Sequence, residues 1–300
     1  MSENTGRDLS GKPNKIEIRD VSFDYVDRNS RYSVLDHVSL TIREGEFICI
    51  LGSSGCGKST LLGLLNGLNR AKSGSILLDG EEIKGPGPDR AVVFQQYSLF
   101  PWLTVKGNIL FGIKQSGKKY TKAEREKLAE DYIKKVGLIG AANKYPGQLS
   151  GGMKQRVALL RAMACDPKVL LMDEPLGAVD FQMRQLLQMQ LEQMLMQKKT
   201  TALMVTHDVD EAVYLSDRVI VMSRDYGRIL TDLRIDLPRP RDRTHVMYHN
   251  YVDHLTNVLK SALNGDVKND EDKDLLEFIQ KSELEKNRLH NALFGDADKK

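Results

Sequence analysis

The chain has 300 residues, of which 41% are hydrophobic and 28% charged, and its formal net charge is +3. That length buries a large core in one or two domains, and so small a charge, with no block of Lys and Arg interleaved with aromatics, argues against a nucleic-acid partner. Cys49, Cys56 and Cys165 are scattered without a C-x-x-C spacing, which argues against a zinc site or a disulfide framework and for a reducing compartment.

Residues 1–14 are polar with no apolar centre and read as an N-terminal tail rather than a secretory leader. Nowhere do about 18 apolar residues run together, so any membrane role is expected to pass through a partner. Ile16, Ile18, Val21 and Phe23, then Val38, Leu40 and Ile42, alternate with polar residues and predict antiparallel strands, with a polar turn over 27–33 between them. Phe47-Ile48-Cys49-Ile50-Leu51 reads as a buried strand. It leads into Gly52-Ser53-Ser54-Gly55-Cys56-Gly57-Lys58-Ser59-Thr60 and then a helix with Leu61, Leu62, Leu64, Leu65 and Leu68 on its apolar positions, ended by Gly67 and Asn69. Ser73-Gly74-Ser75 and Asp79-Gly80 flank a short strand, Ile76-Leu77-Leu78, and Gly-Pro-Gly-Pro at 85–88 connects to Val92-Val93-Phe94.

From 104 to 155 the pattern turns helical. Thr121 and Glu124 form a capping box, Leu128, Tyr132 and Val136 follow at i+4 spacing, and Gly137 supplies the stop. Ser150 is placed to cap a helix over 153–164. The strand Val169-Leu170-Leu171-Met172 runs into Asp173-Glu174. A Met- and Gln-rich helix over 181–197, a strand over 201–205, a helix opened by Thr206-His207-Asp208 and strands at 219–222 and 228–230 complete the core. Strands alternating with helices mark a parallel sheet. Pro238-Arg239-Pro240-Arg241 reads as a boundary; beyond it Leu255, Val258, Leu259 and Leu263 share a helix face, and a second helical stretch is expected over 275–293.

The Gly-rich stretch is a P-loop in its required strand–loop–helix context. A triphosphate is held by backbone N–H groups at a helix N-terminus, where the dipole also favours anions. Gly52, Gly55 and Gly57 let the main chain approach phosphate oxygens, Lys58 can reach the β- and γ-phosphates, and the Ser59 hydroxyl is placed to ligate Mg²⁺. Hydrolysis further needs a carboxylate to hold the metal and a group to activate water. Asp173, at the end of a buried strand, fits the first role and Glu174 the second.

With these residues in hand the chain resembles the nucleotide-binding subunit of an ABC transporter over about 16–230. Leu149-Ser150-Gly151-Gly152-Met153-Lys154-Gln155-Arg156 is similar to that family's signature, which caps the γ-phosphate held by the opposite protomer. The resemblance makes Gln95 the residue that senses Mg²⁺ and the attacking water beside the contact with the membrane subunit, Asp180 the aspartate that communicates across the dimer, and His207 the contact to the γ-phosphate. It makes Tyr25 the aromatic that stacks on adenine, with Tyr32 as a rival. The chain departs from the family in having Gly177 where Ser is commoner, ahead of Asp180, and Met153 where Gln is commoner.

The implied fold is α/β, a P-loop NTPase core of ABC type (residues 15–240) with an antiparallel β subdomain, an inserted α-helical subdomain over about 96–155, and a helical C-terminal extension over 241–300. The implied ligands are ATP and Mg²⁺, with Ser59, Gln95 and Asp173 at the metal and Ser53, Ser54, Cys56 and Thr60 also on the nucleotide. A single P-loop and a single signature that acts in trans imply a head-to-tail homodimer, peripheral on the cytoplasmic face of a membrane and driving permease subunits. The stretch 85–104 and Leu237-Pro238-Arg239-Pro240 resemble importers of nitrate, sulfonate, taurine and bicarbonate, which are served by a separate solute-binding protein. The rivals are an importer ATPase for another small solute and a soluble ABC-type ATPase acting on nucleic acid or ribosomes; the latter class commonly carries two cassettes or a long insertion.

Overall fold

A computed structural model of the chain describes residue 9 and residues 11–27, 30–177 and 181–264. The first two strands, β1 (Asn14–Asp27) and β2 (Ser30–Arg43), pair antiparallel; β3 (Phe47–Leu51) then leads through the Gly-rich loop into α1 (Lys58–Leu65). Two more strands, β4 (Ser73–Leu78) and β5 (Glu81–Glu82), complete a four-stranded antiparallel sheet in the order β2-β1-β4-β5. The chain then enters β6 (Arg90–Val93), crosses α2 (Val105–Gln115), α3 (Lys122–Lys135) and α4 (Gly151–Ala164), and returns in β7 (Val169–Asp173). After α5 (Phe181–Lys198), β8 (Thr201–Thr206) and α6 (Val209–Leu215) come β9 (Arg218–Met222), β10 (Ile229–Arg234) and α7 (Val246–Asn264). The second sheet has six strands in the order β10-β9-β3-β8-β7-β6, parallel except for β10.

Alternation along β3 shows why it is apolar throughout. Ile48 and Ile50 face a core shared with α1 and the antiparallel sheet, while Phe47, Cys49 and Leu51 face one built from α4, α5, α6 and α7. A third cluster joins Val105, Ile109 and Ile113 of α2 to Ala129 and Ile133 of α3 and to Val157 and Leu160 of α4. Because Ala158 and Leu159 belong to the sheet's own core, α4 ties the inserted helices to the sheet. The capping box forms as read: the Thr121 hydroxyl accepts from Glu124 N at 3.2 Å and Thr121 N donates to the Glu124 carboxylate at 2.7 Å. Ser150 caps α4 by accepting from Met153 N at 3.3 Å.

Four expectations shift. Residues 30–33, read as part of a turn, are strand: Tyr25 pairs with Tyr32 and Val26 with Arg31, because Tyr and Val hold a pleated edge despite polar neighbours. Ser73, Gly74 and Ser75, read as punctuation, are the first half of β4. Leu68 lies beyond the end of α1 and is 59% exposed, since Gly67 at φ 77° has already turned the chain. The boundary expected at 238–241 is anchored by its arginines: Pro238 and Pro240 are exposed, while Arg241 is buried and Arg239 partly so. Arg239 bonds Glu192, Asp217 Oδ1 (3.1 Å) and the Leu215 carbonyl, and Arg241 bonds the carbonyls of Val213 and Ile235. Leu255 and Leu259 on α7 are fully buried in the same cluster as the sheet. The Leu263 side chain and the stretch 275–293 lie outside the described residues.

Truncating Leu255 to Ala is therefore expected to cost about 2–5 kcal/mol, the usual cost of emptying a core leucine site. Equilibrium denaturation of the full chain checks this, a single shifted transition being the result expected if α7 unfolds with the sheet.

Candidate active site

Register sets the site. Leu51 of β3 lies opposite Thr206 of β8, and Val205 of β8 lies opposite Asp173 of β7, so three parallel neighbours end at one edge. The loop after β3, the acids at the end of β7 and His207 after β8 all leave from there, where open α/β sheets bind ligands.

The loop backbone is shaped by its glycines. Gly57, at φ 95°, occupies a region side chains avoid, and a Cβ there would come within 2.8 Å of Leu35 Cδ2. Lys58 opens α1 with its Nζ donating to the carbonyls of Gly52 and Ser53, both at 2.8 Å, and lying 3.7 Å from Cys56 Sγ. Ser53 and Cys56 are buried beneath the loop, and burial pushes the Cys56 thiol up. Ser54, Gly55, Gly57, Ser59 and Thr60 face a cleft of about 920 Å³. At its side, Tyr25 is 49% exposed, lines the cleft, and sits with its hydroxyl 3.3 Å from Thr60 Oγ1. Tyr32 lies across the hairpin from it and is not among the lining residues.

Opposite the loop stand the acids. The Ser59 hydroxyl donates to Asp173 Oδ1 at 3.2 Å. Glu174 is held at both carboxylate oxygens: Gln95 Nε2 donates to Oε2 at 3.3 Å, and His207 Nδ1 lies 3.2 Å from Oε1. Its backbone sits at φ 42°, a strained value for a residue with a side chain, fixed by Glu174 N donating to the Val205 carbonyl at 3.0 Å. The two neighbouring carboxyls are displaced in opposite senses. Burial holds Asp173 above the ordinary range against the Ser59 hydrogen bond, whereas the bond from His207 holds Glu174 below it against burial. His207 is raised in turn, first by its bond to Glu174.

The cleft thus gathers Tyr25, Ser54, Gly55, Gly57, Lys58, Ser59, Thr60, Gln95, Asp173, Glu174 and His207 from the sequence reading. Gly52, Ser53 and Cys56 build the loop beneath it. Ser150, Gly151 and Gly152 are not among its lining residues: they sit at the start of α4, where a Cβ on Gly152 would meet Met183 Cγ at 2.6 Å. Asp180 lies outside the described residues. Sequence reasoning missed Arg184 and Asp208, which also line the cleft and bond each other at 3.2 Å. Asp208 was legible only as part of Thr206-His207-Asp208 opening a helix, which it caps by accepting from Glu211 N at 3.0 Å, while nothing in the spacing marked Arg184.

An anion-cradling loop, a hydroxyl paired with a strand-end acid, and a second acid oriented by an amide and an imidazole define a P-loop nucleoside triphosphatase. The family model described as "ABC transporter" matches residues 35–177. Bicarbonate transport ATP-binding protein CmpC of Synechococcus elongatus is 51% identical over 73% of this chain, which spans about a third (33%) of CmpC's length. Nitrate import ATP-binding protein NrtD of Synechocystis sp. is 44% identical over 82% of this chain and 95% of its own. A solved ATP-binding cassette, in a dimeric post-hydrolysis state bound to ADP and Pi, superposes with a TM-score of 0.67 at 30% identity, over 73% of this chain and 98% of that one. The chain belongs to the ABC transporter family, whose ATP-binding cassettes are ATPases.

The Glu174–His207 pair makes a signed prediction in the nucleotide-free protein. A raised His contributes stability that is complete below 6.5, its ordinary value, and lost as pH rises through the raised one; a lowered Glu contributes above 4.5 and loses it as pH falls through the lowered one. The pair is thus fully formed between those two ordinary values. NMR titration of the imidazole is expected to give a midpoint above 6.5 in the wild type and a lower one in Glu174→Gln.

Proposed function

We propose that this chain is the ATP-hydrolysing subunit of an importer, working as a head-to-tail pair that sandwiches Mg-ATP and drives membrane permease subunits. The observation that carries this reading is the Glu174 carboxylate, suspended between Gln95 and His207 directly across the cleft from Lys58 and Ser59. In it the loop N–H groups and Lys58 grip the β- and γ-phosphates, Tyr25 stacks on the base, Glu174 takes the proton of the attacking water, and His207 meets the γ-phosphate. The hydroxyl of Ser59, the carboxylate of Asp173 and the amide oxygen of Gln95 are hard oxygen donors that would suit Mg²⁺. A metal held by these residues would supply charge neutralisation for phosphoryl transfer.

Pairing is supported by the place of Ser150, Gly151 and Gly152, a helix N-terminus fit for an anion that is not among the residues lining the cleft; a second copy turned head to tail would bring them over the γ-phosphate. That a similar cassette was solved as a dimer with ADP and Pi supports the scheme. Docking to a permease is supported by exposed aromatics in the stretch that follows β6: Phe94, next to Gln95 in the chain, is partly exposed, and Trp102, 69% exposed, and Phe111 gather on the Phe100 ring. Among the described residues no helix is long and apolar enough to cross a membrane, so the reading places the chain peripherally on the cytoplasmic face. For cargo, relatives named for bicarbonate and nitrate favour a small oxyanion delivered by a separate solute-binding protein.

Glu174→Gln is expected to bind ATP as the wild type does, to lose roughly 10²–10⁴-fold in turnover, and to elute as an ATP-dependent dimer on size exclusion. A strictly monomeric ATP complex would overturn the pairing. Trp102→Ala is expected to leave the ATPase activity of the isolated chain unchanged and to weaken copurification of membrane subunits. Identifying those subunits and their binding protein tests the oxyanion assignment, which a lipid or drug exporter would end.

A further inference from the structure

His207 sits one residue ahead of Asp208, the cap of α6, and α6 is only seven residues long. A helix that short has little direction of its own; its neighbours set it. On the cleft side the neighbours are Arg184, whose Nη1 lies 3.2 Å from Asp208 Oδ2 and whose Nε lies 3.7 Å from Glu211 Oε1, and Thr206, whose hydroxyl donates to Glu211 Oε2 at 2.9 Å.

On the far side the contacts come from the C-terminal part of the chain and converge on one carboxylate. Tyr248, on the first turn of α7, is 1% exposed, and its hydroxyl donates to Asp210 Oδ1 at 2.7 Å while lying 3.1 Å from the Asp210 carbonyl. Arg243 donates from Nε to Asp210 Oδ2 at 3.0 Å and from Nη2 to Gln188 at 2.6 Å, and its guanidinium stacks 3.7 Å above the Tyr214 ring. Both oxygens of Asp210 are therefore engaged, three residues past His207, by groups that touch nothing in the cleft.

We propose that Tyr248 and Arg243, acting through Asp210, are positioning residues that fix the angle at which α6 presents His207 to the nucleotide. The C-terminal helix is then part of the hydrolytic device, and a partner that shifted α7 would change turnover without touching ATP. This rests on the reading of His207 as the γ-phosphate contact.

Phe at 248 keeps the buried ring and removes only the hydroxyl, and Asn at 210 keeps the volume and removes the charge. In the 300-residue chain with Mg-ATP, Tyr248→Phe and Asp210→Asn are each expected to lower kcat about three- to tenfold, within the net worth of one ordinary hydrogen bond, with KM for ATP unchanged within about twofold. The His207 imidazole resonances should move in both variants while amide resonances of β3 and β8 stay in place. Leu259→Ala, about three turns further along α7, is the control for simple loosening and is expected to lower Tm while keeping kcat at temperatures where circular dichroism shows it folded. An unchanged kcat in Tyr248→Phe, or an equal loss in Leu259→Ala, would overturn the positioning role. His207→Ala separates the two levels: wild-type turnover there would sink the reading of the site, whereas an inactive His207→Ala beside a fully active Tyr248→Phe would sink only the inference about α7.

Discussion

The register of three parallel strands is the constraint on which everything else hangs. With Leu51 beside Thr206 and Val205 beside Asp173, β3, β8 and β7 finish level, and the three segments that follow them cannot avoid one another. A slip of one residue would reverse the faces of every side chain in the slipped strand and carry Ile48 and Ile50 out of the core that holds α1. The same apolar pattern that buries the sheet on both faces therefore also fixes the distance between a phosphate-cradling loop and two acids. Catalytic geometry here is a by-product of packing, and its precision comes from the rigidity of the sheet.

Given that frame, two adjacent carboxyls in the same cleft acquire different characters from their surroundings. Asp173 ends a buried strand with one hydroxyl for company and is pushed toward its neutral form; Glu174, one residue on, turns out of the strand at a strained φ into the reach of an imidazole and an amide. Divergence of this kind is how two neighbouring acids in one site come to have different protonation behaviour. At that turn the Glu174 N–H bonds the Val205 carbonyl, and the two side chains meet different partners: Ser59 for Asp173, Gln95 and His207 for Glu174.

Much of this was legible in the sequence because the signals were local. Glycines at 52, 55 and 57 ahead of Lys58, four apolar residues ahead of Asp173 and Glu174, the Thr121–Glu124 box and the Ser150 cap each fit within a few residues, and spacing along the chain carries them directly. What was not legible is non-local. Arg31 and Tyr32 fall in a stretch that looks like a turn by composition, and they become strand only because they pair with Val26 and Tyr25 across the hairpin. Arg184 enters the cleft because α5 packs beside α6, a relation no spacing records. Pro238 to Arg241 reads as a linker by its prolines and charges, yet its arginines meet carboxylates and carbonyls brought from far along the chain.

Those arginines also decide how far the cassette extends as a transplantable unit. Glu192 on α5 and Asp217 just ahead of β9 lie in an apolar interior and both take their counter-charge from Arg239, which is as buried as they are. A splice that borrowed this fold for another protein and stopped short of residue 239 would take away the guanidinium that both acids share, a heavier penalty than the loss of a few surface contacts. Because Tyr248, Leu255 and Leu259 share the sheet's core as well, a chimera should carry α7 together with those arginines.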